Sequence, residues 1–232
     1  MSEKPAWYYD EFKQIGTDYN SLDEVRQYDE RMHKLRDIPK EVANTISKLG
    51  ITPENTMIEF GCGTCELSIA AAGLCRKVHA VDISEMMLDY AHTKVKSRKV
   101  DNIVLHRAGF LSYEHIDEPV DIVATQLAFH HLPDFWKVVA LGRIRNMLKP
   151  GGRLFIRDIV FSFPPDQYEQ VLNAWVEAVG PENATNCQNH IRDEHSTMSW
   201  LIEEMFKRTG FKIITADYSD SVFVVYLCEK VE

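Results

Sequence analysis

Apolar runs of strand length recur at 56–60, 77–82, 102–106, 120–125, 152–160, 211–217 and 221–228, and amphipathic segments separate the first five. Alternation of this kind predicts parallel β-α-β units. Residues 65–75 read as the helix between the first two strands. After the second strand Ser84 is placed to cap a helix whose buried face is marked by Met87, Leu88, Ala91 and Val95. Another helix begins near Asp134, with Val138, Leu141, Ile144 and Leu148 at helical spacing, and the Pro-Gly-Gly of "LKPGG" ends it. The strand "RLFIRDIVF" follows at once. Only "YSDS" separates the last two runs, too short for a helical crossover, so they pair as an antiparallel hairpin. The predicted fold is α/β, a doubly wound, mostly parallel seven-stranded sheet ending in that hairpin.

Two regions stand outside the alternation. Residues 1–50 read as a few helices, and 161–198 are polar and aromatic with Pro164, Pro165 and Pro181. Open α/β sheets bind ligands at the carboxyl ends of their strands, where such segments can fold over a site. The expected organisation is therefore a helical lid over 1–50 and a catalytic domain over 51–232, with a cap insertion at about 161–198.

At 232 residues, with 45% hydrophobic and 26% charged positions, the chain can bury a full core and is neither disordered nor fibrous. The formal charge of −9 repels phosphate backbones, which favours a small-molecule substrate over nucleic acid. The chain shows no apolar run of membrane-spanning length and no leader-like start, so a cytoplasmic monomer or homodimer is expected. Five cysteines without a secretory signal are expected to stay reduced.

The stretch "IEFGCGTCEL" places Gly61 and Gly63 between a strand and a helix. Such a turn needs φ > 0 or brings bare backbone against a ligand, with a helix N-terminus aimed at it. A dinucleotide site requires a third glycine where Glu66 stands, and a carboxylate there opposes a pyrophosphate. An adenosyl sulfonium cofactor carries no phosphate, so Glu59 and Glu66 are compatible with it; a turn without any ligand is the alternative. Asp82 closes the next strand, where a carboxylate can accept both hydroxyls of a ribose.

In order and spacing, "IEFGCGTCEL", "VHAVDIS", "DIVATQLAFHHLPD" and "LKPGGRLFIRD" resemble the motifs of the class I S-adenosylmethionine-dependent methyltransferases, most closely the small-molecule branch. The resemblance covers about residues 56–160 and the terminal hairpin in outline. It implies a Rossmann-like sheet and S-adenosyl-L-methionine as cofactor, with S-adenosyl-L-homocysteine as product. It also implies that Gly61 and Gly63 line the methionine moiety, Asp82 binds ribose, Ile83 packs on adenine and Gln126 sits near the cofactor amino group. Glu59, Cys62, Met87, Gly109 and Phe110 fall in the same set. Cys65 stands where the family usually has a third glycine, so the loop is either displaced or ordinary helix there. Gly109 stands where an Asp often meets the adenine amino group, a contact then missing or supplied from elsewhere. Arg36 lies near the place of an arginine that pairs with the cofactor carboxylate in some relatives, or is a surface arginine. Tyr19 and Tyr28 cover the methyl group or fill the lid.

Methyl transfer from a sulfonium is an in-line displacement governed by alignment, and a base is needed only if the acceptor must lose a proton. His130 and His131, just past the fourth strand, are the candidates for that base or for holding the acceptor. An unperturbed imidazole would give a rate limb at about pH 6–7. Tyr19 is a further catalytic candidate, Asp158 either faces the pocket as another or makes a structural hydrogen bond, and His190, Arg192 and His195 are either contacts for an anionic substrate or a solvated loop. Cys62-x-x-Cys65 lacks a second ligand pair, so no metal is expected. Three functions remain open at this level: a small-molecule methyltransferase, a tRNA-modifying one, or a cofactor-binding regulator without turnover.

Overall fold

The computed structural model describes residues 4–13, 25, 28, 29, 32–34, 36–218 and 220–231. Its sheet runs β1 (Thr56–Phe60), β2 (Lys77–Asp82), β3 (Ile103–Arg107), β4 (Val120–Gln126), β5 (Leu148–Phe161), β6 (Thr197–Met198), β7 (Phe211–Asp217) and β8 (Phe223–Lys230). The spatial order is β3-β2-β1-β4-β5-β8-β7, with the two-residue β6 added parallel to the end of β5. The strands from β3 to β5 pair in parallel, whereas β8 is antiparallel to both β5 and β7. The order reverses between β1 and β4, and a crevice opens at the carboxyl ends of strands beside such a reversal.

Helices cover both faces: α1 (Ile38–Leu49), α2 (Glu66–Ala72), α3 (Glu85–Ser97), α4 (Asp134–Met147), α5 (Tyr168–Ala178), α6 (Pro181–Asp193) and α7 (Ser199–Arg208). All of β1 is buried, as expected for a strand covered on both faces. Ile58 and Phe60 pack with Val81, Val123, Leu141, Ile156, Phe206 and Tyr226 on one side. Met57 packs with Leu67, Val78, Ile122, Phe155 and Leu49 on the other. Helix α3 starts as its sequence predicts, with the Ser84 hydroxyl accepting from Met87 N at 3.1 Å.

One expectation needs correction. Strand β5 begins at Leu148, inside the stretch expected to end the preceding helix: Leu148 pairs with Val120, and a register shift between Val120 and Ile122 precedes the next pair at Arg153. Helices α5 and α6 occupy most of the 161–198 segment. Pro165 opens the short 3-10 turn (Pro165–Gln167) that leads into α5, and Pro181 opens α6, positions where a missing N–H costs nothing. The described N-terminal residues lie on the crevice side: the Tyr8 hydroxyl donates to Leu111 O at 3.3 Å and the Tyr9 hydroxyl to His131 O at 3.2 Å. Both rings flank Trp136, with centroids 4.7 and 6.1 Å away.

Candidate active site

The turn after β1 forms as its glycines demand. Gly61 and Gly63 have φ of +66° and +50°. A Cβ on Gly61 would lie 2.3 Å from the Ala128 Cβ, so that glycine lets the loop after β4 close on the turn. At Gly63 nothing stands within 4 Å of an added Cβ, and its backbone faces open space. Cys65 keeps the glycine-like geometry with φ +66°, so its backbone is not ordinary helix. For a residue with a side chain that conformation costs about 1–2 kcal/mol. Leu127, at the end of β4, is likewise left-handed with φ +52°. Strain gathered on two facing loops marks a site the surrounding fold holds in place.

Asp82 ends β2 with its carboxylate turned into this turn. It accepts from Gly63 N at 2.8 Å and from Ser84 N at 2.9 Å. Burial nonetheless pushes its pKa up, and these backbone donors only partly offset that. Glu59 is more extreme: burial raises its carboxyl to about 8, against the opposing hydrogen bond from the Ser68 hydroxyl. One cavity of roughly 900 Å³, counted to its open mouth, is lined by Gly61, Gly63, Asp82, Ile83, Met87, Gly109, Phe110, Gln126, Tyr28 and His131. An adjoining cleft is lined by Arg36, Glu59, Cys62 and Tyr28, and shares Gly61, Gly63 and Gln126 with it. The residues named for the cofactor thus line two adjoining spaces on either side of the glycine turn.

Their individual settings differ from expectation in places. The Arg36 guanidinium is engaged by Glu41, which also accepts from Arg157 at 3.1 Å. The Cys62 thiol is driven well above its ordinary pKa by the neighbouring Cys65 and by burial, which favours its protonated form. All five cysteines are free. Tyr19 lies outside the described residues.

The two histidines have separate environments. His131 lines the cavity, and burial together with its neighbour His130 pushes it down to about 3. His130 and Asp158 are buried and absent from the cavity lining. Asp158 bonds His130 Nδ1 through one oxygen and His130 N, at 2.9 Å, through the other. His130 Nε2 meets Glu194 at 3.0 Å. Burial disfavours the imidazolium, but the two carboxylates outweigh it and raise His130 to about 9. The two rings are thus shifted in opposite directions from the pH 6–7 of an unperturbed imidazole.

Sequence reading missed Glu11 and Glu194. The Glu11 carboxylate accepts from Leu111 N at 2.9 and 3.1 Å and stands where a side chain on Gly109 would be, 2.4 Å from its added Cβ. No local signal links positions 100 residues apart. Glu194 sat within a polar run of the cap, and only the fold brings it to His130.

The turn, the strand-end carboxylate and the acidic lining from Glu11, Glu59 and Glu66 fit an adenosyl sulfonium ligand better than a dinucleotide with its pyrophosphate. A methyltransferase domain model matches residues 57–152. An uncharacterised methyltransferase of Anoxybacillus flavithermus is 26% identical over 207 residues, spanning 89% of this chain and 90% of its own. A SAM-dependent methyltransferase of Aquifex aeolicus superposes with a TM-score of 0.65 at 17% identity, covering 91% of this chain and 99% of that one. A DhpI–SAH complex gives 0.64 at 15% identity, covering 93% and 99%. Through the matched domain and the near-full-length relative the chain is similar to methyltransferases, and it shares its fold with S-adenosylmethionine-dependent ones.

Proposed function

We propose that this methyltransferase moves the methyl group of S-adenosyl-L-methionine to a small-molecule acceptor by in-line displacement. The observation that carries the reading is the roofed cavity, in which Gly61, Gly63, Asp82, Gln126 and His131 share one wall system with Tyr9, Glu11 and Lys13 from the N-terminal segment. A space closed on that side favours a compact acceptor over a folded nucleic acid. The cofactor supplies an electrophilic methyl on a sulfonium. Asp82 accepts the ribose hydroxyls, since its two named backbone donors leave acceptor capacity on the carboxylate. Ile83 and Phe110 flank the base, and Gly63 leaves room for the methionine end. Glu11, resting on Gly109, supplies the carboxylate that the loop after β3 lacks and accepts from the adenine amino group.

His131 orients the acceptor from the cavity wall, and water is excluded by Tyr8, Tyr9 and Trp136 above it. Holding acceptor and methyl in line supplies about 7–11 kcal/mol of such a barrier. Residues 1–50 serve as the lid and the α5–α6 segment as the cap. The test is incubation with methyl-labelled cofactor and fractionated cell extract. Label in a low-molecular-weight fraction is expected. Label in bulk tRNA would overturn the acceptor class, and cofactor binding without any label transfer would make the protein a regulator.

A further inference from the structure

His130, His190 and Glu194 come from two distant stretches of chain, the turn after β4 and the end of α6, and each offers one ligand atom within 4.8 Å of the others. We propose that they form a binding site for one divalent cation of the zinc class, independent of the cofactor reading. The ligand atoms are His130 Nε2, His190 Nδ1 and a Glu194 oxygen. Glu194 Oε2 is 3.0 Å from the first and 2.6 Å from the second. Ligand bonds of about 2.0–2.2 Å at tetrahedral angles put donors roughly 3.3–3.6 Å apart. An ion therefore enters with shifts below about 1 Å.

The outer contacts are those a metal site needs. A metal-binding imidazole usually donates its other ring N–H to an oxygen that fixes its tautomer. Here His130 Nδ1 is held by the buried Asp158 carboxylate, and His190 Nε2 by the Ser196 hydroxyl at 2.9 Å. With the ion bound, each ring keeps one proton, on the nitrogen facing that partner. The proton now shared between His130 Nε2 and Glu194 leaves to solvent.

Contacts away from these groups hold the two segments together. His195 N donates to His130 O at 2.9 Å, and the Thr197 hydroxyl to Asp134 at 3.2 Å. Buried Lys137 bridges Asp134 and His195 O. The ligands are thus pre-positioned, and the rings of His130 and Trp175 pack on His190 at 4.8 and 5.7 Å. Two imidazoles and one carboxylate select zinc-like ions over magnesium or calcium, which prefer all-oxygen shells. Three protein ligands leave a fourth position for water. His131, whose Nδ1 is 3.8 Å from Glu194, separates the site from the cavity it lines.

The alternative occupant is a proton, with the same groups forming a plain hydrogen-bonded chain. Full-length protein stripped with a chelator is titrated with Zn²⁺ by calorimetry and with Co²⁺ by visible absorption. One ion per chain at micromolar affinity or tighter is expected, with a cobalt spectrum free of thiolate charge-transfer bands. His190→Ala and Glu194→Gln should each remove that binding, and Ser196→Ala should weaken it by about 10–100-fold. Substoichiometric binding, a thiolate spectrum, or binding that survives His190→Ala would overturn the site. Should the variants not fold, the cobalt spectrum of the unmodified protein decides between nitrogen and oxygen ligands, cysteine ligands and none.

Discussion

The two ends of the parallel strands both open into clefts, and the larger opening is at the end without cofactor geometry. At the amino ends Thr56, Lys77, His79, Asn102, Asp117 and Val120 line roughly 1220 Å³, against roughly 900 Å³ at the carboxyl ends. The amino-end cleft is edged by solvent-facing charges such as Lys77 and Asp117, which pair with each other at 2.7 Å. Its histidine cluster is electrically opposite to the one at the carboxyl ends. His79 Nδ1 lies 3.0 Å from His106 Nε2, and His115 packs edge-on at 5.0 Å. Burial and the Lys77 charge push His79 down to about 4, while the single exposed Asp117 cannot compensate. At His130 two buried carboxylates do compensate. Volume and residue type therefore say little here. Backbone strain, buried acids and helix N-termini converging on one turn distinguish the working end.

Breaking that working end should have the largest effect. Gly61→Val puts a branched side chain against Ala128 at a left-handed φ, and we expect cofactor affinity to fall at least about 100-fold by calorimetry. In a Gly61→Ala background, Ala128→Gly should recover part of the loss by removing the clash. No recovery would mean that φ, rather than contact with the loop after β4, sets the requirement for glycine.

Next in size is Asp82→Ala. Hydrogen bonds to a charged group contribute about 1.5–3 kcal/mol each, so S-adenosylhomocysteine affinity should drop at least about tenfold while the variant stays folded. Equal affinities for variant and parent would take Asp82 out of the cofactor site.

The amino end should respond in stability and not in binding. The folded pKa of His79, about 4, lies below the ordinary value of 6.5, so the unfolded chain binds more protons between those limits. Its contribution is complete above about pH 6.5 and is lost as the pH falls toward 4. Urea unfolding should show a loss on the order of 1 kcal/mol in this window that is smaller in His79→Gln. A change in cofactor affinity in that variant would contradict the division between the two ends.

The smallest effect is expected at Glu11. Glu11→Gln keeps the shape but weakens acceptance from the adenine amino group, so affinity should fall only about 3–10-fold, with less loss for an inosine analogue. Hydrogen exchange across residues 4–13 should slow on adding S-adenosylhomocysteine. Unchanged exchange would mean that this segment belongs to the core and not to a lid.

Local chemistry was enough to read the elements that build the cofactor end. The apolar runs gave every strand but β6, which has two residues and no pattern to show. Ser84 announced its helix because a cap is a contact between near neighbours, and the two glycines announced the turn because φ > 0 is a property of the residue itself. The prolines at 165 and 181 each open a helical turn, because the same restriction that breaks a helix interior suits its first position.

Sequence by itself thus determined the sheet, the glycine turn and the strand-end carboxylate, all consequences of periodicity and backbone sterics within a few residues. Tertiary structure decided which acid stands beside Gly109, which histidine faces the cavity, and that Glu194 meets His130 and His190. Those pairings join segments about 100 and 64 positions apart, Glu11 to Leu111 and His130 to Glu194. Desolvation and carboxylate proximity then set each charge, and neither exists until the chain has folded.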